Sequence, residues 1–258
     1  MRLAATEIGD GPALIILHGL FGSARNWSTV ARSLAASHRV IALDLRNHGA
    51  SPWAETMTYA EMADDVAQFI AAARLDRPSI VGHSMGGKVA MTLALGGAVE
   101  VGALVVVDIA PVAYDGGFGT YVEAMRGLDL ASLGRRADAD AALAGAVPDA
   151  ALRAFLLQNL TTRDGAYAWR INLPAIAAGL AAMAAFSAVE PGAAFVGPAL
   201  FIAGGRSGYV APVHQPAIRR LFPNCEIAVM DGAGHWPHAE QPENFVALVR
   251  PFLDRRTG

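Results

Sequence analysis

The 258-residue sequence predicts an α/β fold, a mostly parallel, doubly wound sheet carrying a helical cap insertion. Short apolar runs recur at residues 13–17, 40–45, 79–81, 103–109, 199–203 and 226–230, the mark of strands buried on both faces. Helical patterns at 27–37, 59–73, 85–95, 213–221 and 242–253 alternate with them. The alternation stops after Ile109 and resumes near Pro198.

Taken in order, residues 3–8 offer an edge strand, and each later run ends at or near Gly, His, Ser or Asp, where a buried strand gives way to a loop. The interrupting stretch is Ala-rich, with helical signals at 120–126, 137–144, 149–160 and 174–186. Residues 1–109 and 198–258 therefore form the core and residues 110–197 a cap. An insertion following a strand at the carboxyl edge of a parallel sheet lies over the crevice where such folds bind ligands.

Apolar residues make up 53% of the chain and charged ones 17%, with 20 Lys and Arg against 23 Asp and Glu. A net charge of -3 on so sparse and mixed a surface carries no footprint of nucleic acid or anionic membrane. The single cysteine, Cys225, cannot close an internal disulfide and reads as a buried thiol, in keeping with a reducing cytoplasm. Met1 to Glu7 lacks the pattern of a secretory signal. The uncharged run from Ile171 to Val189 is broken by Asn172, Pro174, Gly179 and Ser187 and reads as a buried or pocket-lining helix, not a membrane span. The expected partner is a small molecule; a homo-oligomer is neither required nor excluded.

The chemistry concentrates at Gly82-His83-Ser84-Met85-Gly86, between a buried strand and a helix. A serine on such a strained turn is lifted clear of the sheet, and the residues two positions either side of it must be glycine because backbone approaches too closely for a Cβ. The following helix aims its N-terminus at the reaction centre, so the Met85 amide is one candidate donor to an oxyanion. His18-Gly19-Leu20-Phe21-Gly22 ends the first buried run and supplies the second donor, at Leu20 or alternatively Phe21. His18 reads as a brace for that loop.

Near the C-terminus, Gly232-Ala233-Gly234-His235 gives the flexibility to fold His235 over the serine as general base. His238, after Pro237, reads as a surface or supporting residue. The third member, a carboxylate between serine and histidine in chain order, is absent from Gly204-Gly205-Arg206-Ser207-Gly208, where it is commonly found. Asp108, ending the strand 103–109 on the same sheet edge as Ser84, is the candidate acid; a Ser-His dyad helped by Ser207 or water is the alternative.

On these motifs, together with Asp44-Leu45-Arg46-Asn47-His48-Gly49, Asp108-Ile109-Ala110-Pro111 and Trp169-Arg170-Ile171-Asn172, the chain resembles small serine esterases of the α/β-hydrolase superfamily. It is most similar to the bacterial short-chain acyl esterases and the mitochondrial hydrolase-domain group. The resemblance implies action on small carboxylic esters or acyl thioesters without metal or organic cofactor, with Asp44 and Arg46 as structural residues. A lyase or C–C bond hydrolase using the same three residues is the alternative. The candidate substrate-binding residues are Phe21, Tyr121, Phe155, Trp169 and Trp236, with Tyr114, Phe118 and Phe186 as further candidate pocket aromatics.

Overall fold

The computed structural model describes residues 1–114, 117–186 and 192–255. The strands are β1 (Ala5–Ile8), β2 (Ala13–Leu17), β3 (Arg39–Leu43), β4 (Ser79–His83), β5 (Leu104–Val107), β6 (Leu160–Arg163), β7 (Ala166–Trp169), β8 (Ala199–Gly204) and β9 (Cys225–Met230). The helices are α1 (Ser28–Leu34), α2 (Tyr59–Ala72), α3 (Met85–Gly96), α4 (Gly119–Arg126), α5 (Arg136–Leu143), α6 (Ala150–Leu157), α7 (Leu173–Ala184), α8 (Gln215–Leu221), α9 (Pro237–Glu240) and α10 (Pro242–Asp254).

Seven strands form one sheet in the order β1-β3-β2-β4-β5-β8-β9. Edge strand β1 runs antiparallel to β3, and every other pairing in this sheet is parallel. Side chains alternate strictly between two cores. Ile15, Leu17, Ile80, Leu104, Val106 and Phe201 pack under α2, α3 and α8, while Leu14, Ile16, Val81, Val105, Val107 and Ile202 pack under α1 and α10. Burial on both faces explains why these strands read as continuous apolar runs.

The sheet order reverses between β2 and β4, so the loops leaving those strands diverge and open a crevice at their carboxyl ends. Five consecutive neighbours, β2, β4, β5, β8 and β9, deliver to that edge the loop of Leu20, Ser84, Asp108, Ser207 and the loop of His235.

Between β5 and β8 the chain forms α4 to α7 and the hairpin β6-β7. The helix expected over 149–160 ends instead at Leu157, and Leu160 opens β6. The cause is local: β-branched Thr161 and Thr162 precede Asp164-Gly165, whose φ angles of 52° and 82° make the two-residue turn that hairpins favour. The strand expected to run to Ile109 stops at Val107, because Asp108 adopts φ 50° and leaves the extended region. Ser187 and Val189, ending the uncharged run, lie outside the described residues; its helical part is α7. Among the described residues no helix is long and apolar enough to cross a membrane.

Candidate active site

Ser84 joins β4 to α3 at φ 50° and ψ −116°, a conformation costing about 1–3 kcal/mol for a residue other than glycine. Contacts on every side hold it there. A Cβ on Gly82 would lie 2.3 Å from the Gly86 carbonyl oxygen, and one on Gly86 would lie 2.4 Å from that of Leu17. The elbow is thus pressed against the end of β2, and a Cβ on Gly19 would come within 3.3 Å of Ser84 Cβ, so the two loops touch.

Three side chains from separate strands then meet. His235 Nε2 lies 3.1 Å from Ser84 Oγ, and His235 Nδ1 lies 2.7 Å from Asp108 Oδ2. With Nδ1 donating to the carboxylate, Nε2 is left to accept from the serine hydroxyl. Asp108 is fully buried and accepts further bonds from the Gly204 amide (2.9 Å, to Oδ1) and from Ser207 Oγ (2.5 Å, to Oδ2). Ser207, standing where an acid is commonly found, donates to the acid supplied by the neighbouring strand.

Met85 opens α3, where an amide has no acceptor one turn back, and the Leu20 amide has no acceptor among the described residues. The Phe21 amide, the alternative donor, is committed to His48 Nε2 at 3.2 Å. The loop is braced on both sides: His18 Nδ1 donates to Gly19 O and its Nε2 accepts from the Leu45 amide, while Asn159 Nδ2 donates to Phe21 O at 2.8 Å. Asp44 accepts from the Ala24 and Ala50 amides, and Arg46 donates to Asp65 at 2.7 Å, fastening the loop that carries His48. Burial pushes the His18 imidazole down to about 4 and that of His48 down to about 3, so both stay neutral, bridging backbone.

His238 is no surface residue. It is buried, stacks on Trp27 with ring centroids 4.0 Å apart, and is pushed down to about 3 by burial, then by His235.

A largely apolar cavity of about 360 Å³ opens beside Ser84. Leu20, Met85 and Ile109 line it from the core, with Tyr114, Phe118, Leu180 and Met183 from the stretch between β5 and β8. Tyr114 and Phe118 thus stand where the sequence expected pocket aromatics. The remaining candidates do not line it. Phe21 and Tyr121 pack against the Phe118 ring at 6.1 and 6.4 Å, and Phe155 faces Trp236 at 5.7 Å beside a second cavity. Trp169 donates Nε1 to Met125 O at 3.2 Å. Among the described residues, no group of three or more His, Cys, Asp or Glu side chains could hold a metal ion.

A family model described as the alpha/beta hydrolase fold matches residues 12–242. The chain belongs to the α/β-hydrolase fold family. It is 40% identical over 254 residues to an sn-1-specific diacylglycerol lipase of Xenopus laevis, covering 95% of this chain and 80% of that protein. It is 34% identical to an Escherichia coli esterase, YbfF, covering 98% of this chain and 97% of that one. A solved marine microorganism esterase superposes with a TM-score of 0.93 at 35% identity, covering 97% of this chain and 99% of that one. With such relatives over most of its length, this α/β-hydrolase is an enzyme of the carboxylesterase type.

Three residues of this α/β-hydrolase site were not singled out by the sequence reading. Glu240 accepts from the Gly234 and Trp236 amides at 2.7 and 3.2 Å, clamping the loop on both sides of His235. The Tyr209 ring lies against the His235 ring, centroids 4.3 Å apart. Lys88, buried on α3, reaches the cavity wall; its signal was in plain view as the chain's only lysine, one helical turn after Ser84.

Proposed function

We propose that this hydrolase cleaves small carboxylic esters, and acyl thioesters by the same route, through an acyl-enzyme on Ser84. The observation that carries the reading is the unbroken relay Ser84–His235–Asp108 at 3.1 and 2.7 Å on the rim of a largely apolar cavity. His235 Nε2 takes the hydroxyl proton as Ser84 Oγ attacks the carbonyl carbon, and Asp108 stabilises the imidazolium. The new oxyanion accepts from the Leu20 and Met85 amides; each such donor contributes about a hundred- to a thousand-fold in rate. His235 returns the proton to the leaving oxygen or sulfur, and then activates the water that releases the acid.

The acyl group occupies the cavity, whose volume of about 360 Å³ suits a small chain. Residues 110–197 serve as a cap that supplies one wall of it. The relatives named as esterases and as diacylglycerol lipases support an ester substrate. The test is hydrolysis of aryl acetates and butyrates, with products identified, by wild type and Ser84→Ala, together with fluorophosphonate labelling. Acid and alcohol released by wild type alone, with the label on Ser84, are expected. Full activity in Ser84→Ala, or a label elsewhere, would overturn the reading.

A further inference from the structure

Lys88 is the only lysine in a chain with 20 Lys and Arg together, and it is buried. It follows Ser84 by one turn of α3, its backbone amide donating to Ser84 O at 3.0 Å, so both residues face the same cavity. Its ammonium sits where four cavity-lining residues meet, 5.4 and 5.0 Å from the Tyr59 and Tyr114 ring centres and beside the carbonyls of Met183 and Ala184.

No carboxylate pairs with it among the described residues. Its acceptors are carbonyl oxygens at the end of α7: Ala185 at 3.0 Å, Ala184 at 3.3 Å and Met183 at 3.5 Å. Three bonds engage its three donors, but two are long, so a carboxylate oxygen would be a stronger acceptor than either carbonyl it replaced. Carbonyl dipoles fix its position without cancelling its charge, and burial pushes it down only to about 8, which leaves it mostly protonated at neutral pH. A buried cation is costly, and one that no carboxylate among the described residues neutralises gains from a ligand that brings an anion.

We infer that Lys88 is a specificity-determining residue that makes the acyl pocket selective for acyl groups carrying a distal carboxylate, the half-esters or half-thioesters of short dicarboxylic acids. The inference rests on the acyl-enzyme reading above and names its substrate class. The compact ammonium, held by α7, meets the distal carboxylate while the nucleophile works on the carbonyl at the other end.

The experiment compares kcat/KM for monoethyl glutarate and adipate with that for ethyl valerate and hexanoate, in wild type and Lys88→Met. The ratio of charged to neutral substrate within one protein cancels differences in the amount of active enzyme. Wild type is expected to favour the half-esters, and Lys88→Met to lower the ratio at least about thirty-fold, as losing one side of a buried charge pair does. A wild-type ratio below one that Lys88→Met does not move would overturn the inference and leave Lys88 as a tie for the end of α7. Calorimetric binding of adipate against hexanoate to wild type decides the matter even where Lys88→Met fails to fold or no ester is hydrolysed: preference for adipate supports the site, and equal or weaker binding overturns it. Loss of all ester hydrolysis with adipate preference intact would defeat only the esterase reading.

Discussion

Asp108 combines three properties that a supporting acid needs: complete burial, a fixed orientation and one oxygen directed at the imidazole. Its backbone at φ 50° turns the carboxylate across the ends of β5 and β8, where the Gly204 amide and the Ser207 hydroxyl hold it. Asp108→Asn keeps the shape but presents an amide to His235 Nδ1, so kcat is expected to fall about ten thousand-fold, as a wrong tautomer does in the worked serine-protease template. Ser207→Ala removes one bond to a charged acceptor, about 1.5–3 kcal/mol, so a loss of roughly ten- to a hundred-fold is expected. Steady-state kinetics on both variants decides between an acid and a dyad: a near-normal rate in Asp108→Asn would place the burden on the dyad.

At the scale of elements, the active site is a packing junction between β4, α3 and the end of β2. Gly86 is where α3 presses on the end of β2, since its Cβ would meet two backbone oxygens, Leu17 O at 2.4 Å and His18 O at 2.5 Å. Neither can swing aside as a side chain does. Gly86→Ala is expected to destabilise the fold by about 1–3 kcal/mol and to displace the Leu20 loop, reducing fluorophosphonate labelling of the fraction that remains folded. Denaturant midpoints and labelling rates measure the two effects; an unchanged midpoint would mean that the junction yields. The hairpin β6-β7 shows a local signal prevailing over a broader one, for the Asp164-Gly165 turn forms where the surrounding alanines favour a helix.

Over the whole molecule, five histidines, His18, His38, His48, His83 and His238, are buried, and each is lowered chiefly by burial, which favours the neutral form. Their folded pKa values lie below the unfolded value near 6.5, so as pH falls past that value the unfolded chain takes up protons that the folded chain refuses. Stability is therefore expected to fall as pH drops from 6.5 to about 3, the value for His48 and His238, with the His18 contribution complete near 4, and to be insensitive to these groups above pH 7. Each imidazole contributes up to about 1.4 kcal/mol per pH unit in that window. His238→Phe, which keeps an aromatic ring on Trp27 and removes a buried Nδ1 without a partner, should make the decline of Tm with pH shallower. An identical pH profile would show that His238 does not titrate on unfolding.

What the sequence determined by itself was whatever local physics specifies: buried strands from apolar runs, the elbow from its glycines, and the order of serine, acid and histidine along the chain. The place of Asp108 was legible because a strand end on a parallel sheet has a known edge, so it could be set beside Ser84 without coordinates. Which aromatics line the cavity was not legible. Phe118 and Tyr121 are three residues apart at the start of the same helical stretch, yet only Phe118 faces the cavity, a matter of how α4 is rotated against α7. Only the tertiary structure gave Ser207, Asn159 and Lys88 their distant partners, because these bonds close between segments far apart in the chain, and no local pattern encodes a distance between them.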